Sequence, residues 1–244
     1  MTFKSQIEAY RKQHAAPTKP LRAVLFDMDG VLFDSMPNHA KSWVKVCKEF
    51  DLEMDPIEAF LYEGRTGAST INILAKRCWK RDATPQEIEQ IYQEKCRLFN
   101  ACPEAPKMSG AEQVLEAVKR AGLTIVVVTG SGQKSLLDRL AHNYPGYFSP
   151  NLIVSSADVK HGKPNPEPYL MGLEKAGVCA DEALVVENAP LGVRAGVAAG
   201  IFTLAVNTGP LPESALTDEG ANLLFKNMTE LAESFNTLKT EWEA

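Results

Sequence analysis

Residues 21–30 read LRAVLFDMDG, and this stretch decides the fold that the sequence predicts. The run from 21 to 26 is short, apolar and partly β-branched, which is typical of a buried strand. It stops at an acidic turn that contains a glycine, so Asp27 and Asp29 follow directly after the strand. The stretch therefore predicts a buried strand that leads into a loop carrying two carboxylates.

Four similar strand-like runs follow downstream, and each is separated from the next by a segment with helical character. They comprise residues 123–128, 152–154, 183–186 and 201–206. Alanine-rich amphipathic segments, of which 111–121 and 190–199 are examples, fit the crossover helices of a parallel sheet. The pattern predicts an α/β fold whose sheet is covered by helices on both faces.

The pattern changes between residues 35 and 104. No strand-like run occurs there, and apolar residues recur at helical spacing, for example at Trp43, Cys47 and Phe50. The α/β pattern resumes after Pro103-Glu104-Ala105-Pro106. We therefore expect an inserted all-helical domain at 35–104, tethered by two chain crossings that can act as a hinge.

The remaining residues form the predicted core domain and a leading segment. Residues 21–34 and 105–244 carry the strand-like runs and are assigned to the α/β core. Residues 1–20 are expected to be an N-terminal extension with one or two helical turns within 7–14, because two prolines end any helical pattern before the first strand.

Composition and charge argue against several classes of protein. With 244 residues, of which 45% are hydrophobic, the chain can bury one large core and a smaller second one. The net charge of -5 offers no basic field to a polyanion, so nucleic acid is not an expected partner. The five cysteines form no Cys-x-x-Cys pair, which argues against a zinc site. No apolar run approaches the ~18 residues of a membrane span, so we expect no membrane association. The charged N-terminus lacks a signal-peptide core, so we expect a cytoplasmic location. A monomer is the default expectation.

Polar residues follow the later strand-like runs as well. Thr129 begins Thr-Gly-Ser-Gly after the second run, Lys163 begins Lys-Pro-Asn-Pro after the third, and Glu187-Asn188 follows the fourth. Ligands of open parallel sheets bind at the carboxyl ends of the strands. We therefore expect these side chains to meet the two carboxylates of the first loop at one site.

Four ordered motifs resemble those of the haloacid dehalogenase (HAD) superfamily. They are AVLFDMDGVL at 23–32, VVVTGSG at 126–132, GKPNPEPY at 162–169 and LVVENAPLG at 184–192. The resemblance spans nearly the whole chain. It implies a HAD-like Rossmannoid parallel sheet with an inserted α-helical cap domain of the C1 type, and a phosphoryl-transfer enzyme that uses Mg²⁺.

The resemblance also implies a role for each motif residue. Asp27 would attack phosphorus and form an aspartyl phosphate, and Asp29 would act as general acid and base. The implied phosphate cradle and its charge-neutralising cation are Thr129, Gly130, Ser131 and Lys163. The implied Mg²⁺ ligands are Asp27, Asp29 through its backbone carbonyl, Glu187 and Asn188.

The β-phosphoglucomutase-like branch of the superfamily is the most similar in pattern, because the helical insertion follows the first motif directly and because His39 is present. The resemblance suggests that His39 couples the cap to Asp29.

Two sites depart from that branch. Asn188 stands where these enzymes usually have an Asp, so one negative charge is missing. Glu63 and Gly67 stand where sugar-phosphate mutases have a Lys and an Arg for the distal phosphate, and a Glu cannot bind a phosphate directly.

These departures favour a small substrate. If the cap closes over the site, Glu63 can reach the metal and replace the charge that is missing at Asn188, which leaves little room for a sugar. The motifs EGRTGAST and VVENAPLGV resemble those of HAD-type inorganic pyrophosphatases, which implies that Arg65 and Lys163 hold the two ends of pyrophosphate. The sequence therefore predicts a phosphohydrolase acting on pyrophosphate or another small phosphate, with a hexose phosphate mutase of the β-phosphoglucomutase type as the alternative.

Overall fold

The computed structural model describes residues 2–131 and 134–244, with side chains except at 134–137. Six strands in these residues form one parallel sheet in the order β3-β2-β1-β4-β5-β6. Their bounds are β1 Ala23–Phe26, β2 Thr124–Val128, β3 Ile153–Val154, β4 Ala183–Glu187, β5 Phe202–Val206 and β6 Leu223–Phe225. The five predicted strands are present. The sequence did not reveal β6, because a run of three residues cannot be distinguished from a loop by periodicity.

Strand β1 lies between β2 and β4, and its register sets the position of the site. Phe26 pairs with Val127 on β2 and with Val186 on β4, so all three strands end at the same edge of the sheet. The chain continues from β1 to β2 and β3 on one side and to β4, β5 and β6 on the other. The crevice for a ligand is therefore expected at the carboxyl end of β1.

Helices cover both faces of the sheet. Val24 and Phe26 pack on one face in a cluster with the helices Ala111–Arg120 and Met228–Trp242, whereas Ala23 and Leu25 pack on the other face with the helices Glu167–Ala176 and Pro190–Ala198. The α-helices are α1 Lys4–His14, α2 Met36–Glu49, α3 Pro56–Leu61, α4 Gly67–Trp79, α5 Pro85–Asn100, α6 Ala111–Arg120, α7 Lys134–Asn143, α8 Glu167–Ala176, α9 Pro190–Ala198, α10 Ser214–Thr217 and α11 Met228–Trp242. The predicted α/β architecture is confirmed. None of the helices described is long and apolar enough to cross a bilayer.

Helices α2 to α5 carry a separate cluster of buried side chains, which includes Val46, Ile71 and Ile91. Three of these helices begin at polar N-cap residues whose side chains accept a backbone N–H of the first turn, namely Asp55, Thr66 and Thr84. Residues 35–104 contain no strand. This is the arrangement expected of the predicted cap.

The N-terminal segment is more structured than predicted. Helix α1 has 11 residues, and Phe3, Ile7 and Tyr10 are buried in the main cluster of the core. The Tyr10 hydroxyl donates to the Gly200 carbonyl at 2.8 Å, and the Tyr10 ring centre lies 5.8 Å from that of Trp242. The apolar spacing 3, 7 and 10 was the available signal, since it places all three side chains on one helical face.

Candidate active site

Three strand ends bring predicted site residues together. Asp27 follows β1, Thr129 follows β2 and Glu187 is the last residue of β4, while Lys163 reaches the same point from the loop before α8. All four residues are buried, with exposed fractions between 0% for Glu187 and 4% for Asp27. Their charges therefore interact in a medium of low dielectric constant, where electrostatic effects are strong.

Lys163 is the centre of the buried cluster. Its Nζ donates to Oδ1 of Asp27 and to Oε1 of Glu187, both at 2.5 Å, and to the carbonyl of Val128 at 3.0 Å. The three acceptors take up the three protons of the ammonium group. Lys163 thus has a fixed position beside Asp27, the carboxylate that the family resemblance predicts to be the nucleophile.

Glu187 is held by four donors. Its Oε1 accepts from Lys163 and from the Tyr169 hydroxyl at 2.8 Å, and its Oε2 accepts from the backbone N–H groups of Asn188 and Ala189. Both oxygens therefore already accept two hydrogen bonds each. Sequence reasoning did not assign a role to Tyr169, although it is the last residue of the GKPNPEPY motif.

Three oxygens of site residues lack a donor within the part of the chain that the structure describes. Oδ2 of Asp27, Oε1 of Glu63 and Oδ1 of Asn188 are buried and have no hydrogen-bond partner among the residues described. Glu63 belongs to the cap, and its other oxygen accepts a hydrogen bond of 3.1 Å from Nδ2 of Asn188. Buried acceptors without donors are costly, and oxygen ligands of this kind are those that Mg²⁺ prefers. The set therefore fits a divalent cation.

Negative charge is in excess around these oxygens. Burial, together with the charges of Glu187 and Asp29, raises the pKa of Asp27 to about 8, although Lys163 opposes the shift. Burial and the charge of Asp27 raise the pKa of Glu63 well above its ordinary value. Burial alone would lower the pKa of Lys163, but its two carboxylate partners raise it. A cation bound to the free oxygens would favour the ionised form of both carboxylates.

The cap loop that carries Glu63 lies directly on the core. Gly64 has a φ of +86°, a left-handed conformation that glycine adopts without strain, and a Cβ there would lie 3.0 Å from Cδ of Lys163. A Cβ on Gly130 would lie 3.1 Å from the carbonyl oxygen of Gly64. Because neither position has a side chain, the cap loop can pack against both the predicted phosphate cradle and the Lys163 loop.

The predicted phosphate cradle is partly described. The N–H of Thr129 donates to the carbonyl of Val154 at 2.9 Å, and its hydroxyl accepts from the N–H of Ser131 at 3.0 Å. Gly130 lies between them and lines the same cavity as Asp27. Gly132, the last residue of the VVVTGSG motif, lies outside the described residues.

Arg65 also lines this cavity. Its Nη1 donates to Oγ of Ser69 at 3.3 Å, and its guanidinium carbon lies 5.8 Å from the centre of the Tyr62 ring. Its Nε is buried without a hydrogen-bond partner in the part of the chain that the structure describes. The cavity has a volume of about 80 Å³, which corresponds to roughly five to eight water-sized groups. Arg65 can therefore donate to a small anion in this space.

Asp29 lies in a second network that extends into the cap. Its Oδ1 accepts from the Ser35 hydroxyl at 2.5 Å and lies 3.3 Å from Nε2 of His39, and Nδ1 of His39 is 2.9 Å from Nζ of Lys95. An ammonium group can only donate, so Nδ1 of His39 accepts and the ring proton is on Nε2, which lies near Asp29 but has no hydrogen-bond partner among the residues described. Burial and Lys95 lower the pKa of His39. Burial would raise the pKa of Asp29, but His39 and Ser35 hold it at about 2, so Asp29 is ionised.

Sequence reasoning missed Ser35 and Lys95. Lys95 is 3% exposed and lies on the buried face of α5 with Ile91 and Leu98, at helical spacing. A lysine on an apolar helix face is the signal that could have identified it, because a buried charge needs a partner. Ser35 precedes α2 and was counted as the start of the cap.

Comparisons with known proteins agree with this arrangement. The sequence model of a family described as haloacid dehalogenase-like hydrolase matches residues 24–206. Hexitol phosphatase A of Escherichia coli strain K12 is 30% identical over 188 residues, which cover 76% of this chain and 83% of that protein. A phosphorylated carbohydrates phosphatase of Thermotoga maritima is 30% identical over 215 residues, which cover 84% and 94%. A solved structure from Bacteroides vulgatus, provisionally described as a β-phosphoglucomutase, is 57% identical and superimposes with a TM-score of 0.96 over 99% of this chain and 98% of that one.

Proposed function

Because the chain belongs to the haloacid dehalogenase-like hydrolase family, we propose that it is a Mg²⁺-dependent phosphohydrolase acting on inorganic pyrophosphate or another small phosphate. The observation that carries this proposal is the set of three buried oxygens, on Asp27, Glu63 and Asn188, for which the described residues supply no donor. Lys163 lies beside them, with its Nζ 2.5 Å from Asp27. Such a site suits a cation bound together with a phosphoryl group. The cation neutralises the negative charge of the carboxylates and of the phosphoryl oxygens.

Asp27, Glu63 and Asn188 would hold the magnesium ion through these oxygens. The backbone carbonyl of Asp29 and the carboxylate of Glu187 are the further ligands that the family resemblance implies. Glu187 also orients Lys163. Three hydrogen bonds hold its carboxylate in place, and a fourth comes from Nζ of Lys163. When bound, Mg²⁺ supplies positive charge that stabilises the negative charge on the phosphoryl oxygens.

Asp27 supplies the nucleophile. One of its carboxylate oxygens forms a bond to phosphorus while the bond from phosphorus to the leaving oxygen breaks, which gives an aspartyl phosphate. Lys163 holds the carboxylate in position and neutralises part of the charge. Water then attacks phosphorus, its proton passes to the ionised carboxylate of Asp29, and phosphate leaves as the Asp27 carboxylate is regenerated.

The roof of the site favours a small leaving group. The carboxylate of Glu63 occupies the cap side of the metal site, where it would repel the distal phosphate of a sugar bisphosphate. Arg65 offers to the same cavity of about 80 Å³ a guanidinium whose Nε has no partner in residues 2–131 and 138–244. A leaving phosphate is smaller than a hexose phosphate and can accept charge-assisted hydrogen bonds from the guanidinium of Arg65.

A hexose phosphate mutase is the second candidate function. It is supported by the 57% identity with the Bacteroides vulgatus protein and by the network of Ser35, His39 and Lys95, which ties Asp29 to the cap. In a mutase the aspartyl phosphate must persist while the substrate turns over in the site. In a hydrolase, water attacks it without delay.

A phosphate-release assay in the presence of Mg²⁺ separates these functions. The substrates are pyrophosphate and a panel of hexose and hexitol phosphates, and the conversion of β-glucose 1-phosphate is followed in parallel. We expect kcat/KM for pyrophosphate to exceed that for each sugar phosphate by about tenfold or more. Rapid formation of glucose 6-phosphate from β-glucose 1-phosphate would overturn the substrate assignment.

The matched variant for the chemistry is Asp27→Asn. An amide is not a nucleophile of this kind, so turnover should fall by about 10³-fold or more. The amide oxygen still accepts from Lys163, and we therefore expect the melting temperature to stay at or above that of the wild type. Retained turnover in Asp27→Asn would remove the covalent mechanism.

A further inference from the structure

The two chain crossings between core and cap are paired with each other. We call residues 33–35 and 103–107 the cap linkers. Phe33 and Lys107 form an antiparallel bridge, and the N–H of Asp34 donates to a carbonyl of the second linker at 3.0 Å. Backbone hydrogen bonds therefore join the two cap linkers to each other.

Arg139 on α7 contacts both cap linkers at once. Its Nε donates to Oε1 of Glu104 at 3.1 Å, and its Nη2 donates to the carbonyl of Ala105 at 2.8 Å. Its guanidinium carbon lies 4.9 Å from the centre of the Phe33 ring. The side chain is 19% exposed. A planar guanidinium can donate in its plane while an aromatic ring contacts its face, which a lysine cannot reproduce.

The base of this contact is fixed to the core. Tyr144, directly after α7, is fully buried, and its hydroxyl donates to the carbonyl of Leu32 at 2.5 Å. Its ring centre is 5.5 Å from that of Phe33. Helix α7 thus has a rigid attachment beside the first cap linker, and Arg139 extends this attachment to the second.

Both attachments affect the candidate active site. The first cap linker contains Ser35, whose hydroxyl bonds to Asp29, and the cap as a whole brings Glu63 to Asn188. We propose that Arg139 is a positioning residue, which fixes the cap linkers so that the cap stays closed with Glu63 on Asn188 and Ser35 on Asp29. Its effect on catalysis rests on the proposed function, whereas its effect on cap closure does not.

Hydrogen–deuterium exchange of the ligand-free protein tests the proposal. Arg139→Met removes the charge and both hydrogen bonds but keeps an unbranched side chain. We expect exchange to become about tenfold faster in peptides covering 61–67 and 103–107, the effect of losing roughly one charge-assisted hydrogen bond. Peptides from β1 and β4 should not change. The control is Arg120→Met, because Arg120 forms an ion pair within a single exposed helix turn, with Glu116.

Unchanged exchange at residues 61–67 and 103–107 would overturn the proposal, and so would an equal increase in β1 and β4, which indicates general destabilisation. If Arg139→Met does not fold, Arg139→Lys is compared at the same peptides and should show the same pattern with a smaller increase. With pyrophosphate, Arg139→Met should raise KM several-fold and change kcat little, because bound substrate must now close a cap that is more often open. Absence of pyrophosphate hydrolysis in the wild type would contradict the proposed function and leave the exchange result unaffected.

Discussion

The side-chain amide of Asn188 in the core donates a hydrogen bond of 3.1 Å to Oε2 of Glu63 in the cap. An Asp at position 188 could not donate this bond and would place a second carboxylate against Glu63. No donor from the described part of the chain reaches Oδ1 of Asn188. The two departures from the sugar-phosphate mutase pattern, at 63 and at 188, are therefore linked: each residue suits the presence of the other.

The first prediction concerns Asn188→Asp. In the absence of Mg²⁺ the new carboxyl group is buried against those of Glu63 and Asp27 and, unless it takes up a proton, cannot donate to Glu63, so the free energy of unfolding should fall by about 1–3 kcal/mol. Added Mg²⁺ should raise the melting temperature of the variant more than that of the wild type, because it screens an additional charge. Thermal unfolding with and without Mg²⁺ measures both effects. Asn236→Asp, at an exposed position on α11, is the control. Identical Mg²⁺ responses in wild type and Asn188→Asp would contradict this prediction.

The second prediction concerns Glu63→Ala. Loss of the cap carboxylate removes the hydrogen bond from Asn188 and the ligand that we propose for the cation, and it also enlarges the cavity. We expect kcat/KM for pyrophosphate to fall about tenfold more than kcat/KM for a sugar monophosphate. Parallel assays on both substrates measure the ratio, and Glu89→Ala on the exposed face of α5 is the control. An equal loss on all substrates would show that Glu63 does not select the substrate.

Much of the site was predictable because it depends on local sequence. Asp27, Thr129 and Glu187 each follow a short apolar run, and parallel strands of one sheet end at a common edge. The hypothesis for Glu63 was that it reaches the metal and replaces the charge that is missing at Asn188. The structure brings these two side chains into hydrogen-bond contact.

Other contacts could not be predicted because they join residues far apart in sequence. Lys95 meets His39 across two cap helices, and Arg139 meets both cap linkers from a core helix. The sequence shows that a lysine lies on an apolar helix face, but it does not identify its partner. Such pairs depend on how helices pack, which periodicity alone does not determine.

The last prediction concerns Lys95, whose Nζ lies 2.9 Å from Nδ1 of His39 and 4.9 Å from the ring centre of Phe99. Burial lowers the pKa of Lys95 to about 8 from its ordinary value of 10.5. Below about pH 8 the folded and unfolded chains both carry the proton, so the full cost of burying the charge is present. Between pH 8 and 10.5 the unfolded chain keeps a proton that the folded chain has lost, so this cost decreases as pH rises.

Lys95→Met removes this titration and should therefore stabilise the protein at pH 7, by at most about 3 kcal/mol since the contacts with His39 and the aromatic rings are also lost. The gain should shrink between pH 8 and pH 10.5. Urea unfolding of both proteins at pH 7 and at pH 9.5 gives the difference in free energy, in which the titration of other groups largely cancels. Lys119→Met is the control, because Lys119 is exposed and contacts the Tyr147 ring at 5.1 Å. A pH-independent difference would mean that Lys95 does not lose its proton in the folded state over this range. If Lys95 also orients His39 towards Asp29, turnover of Lys95→Met should fall at pH 7 even though the protein is more stable.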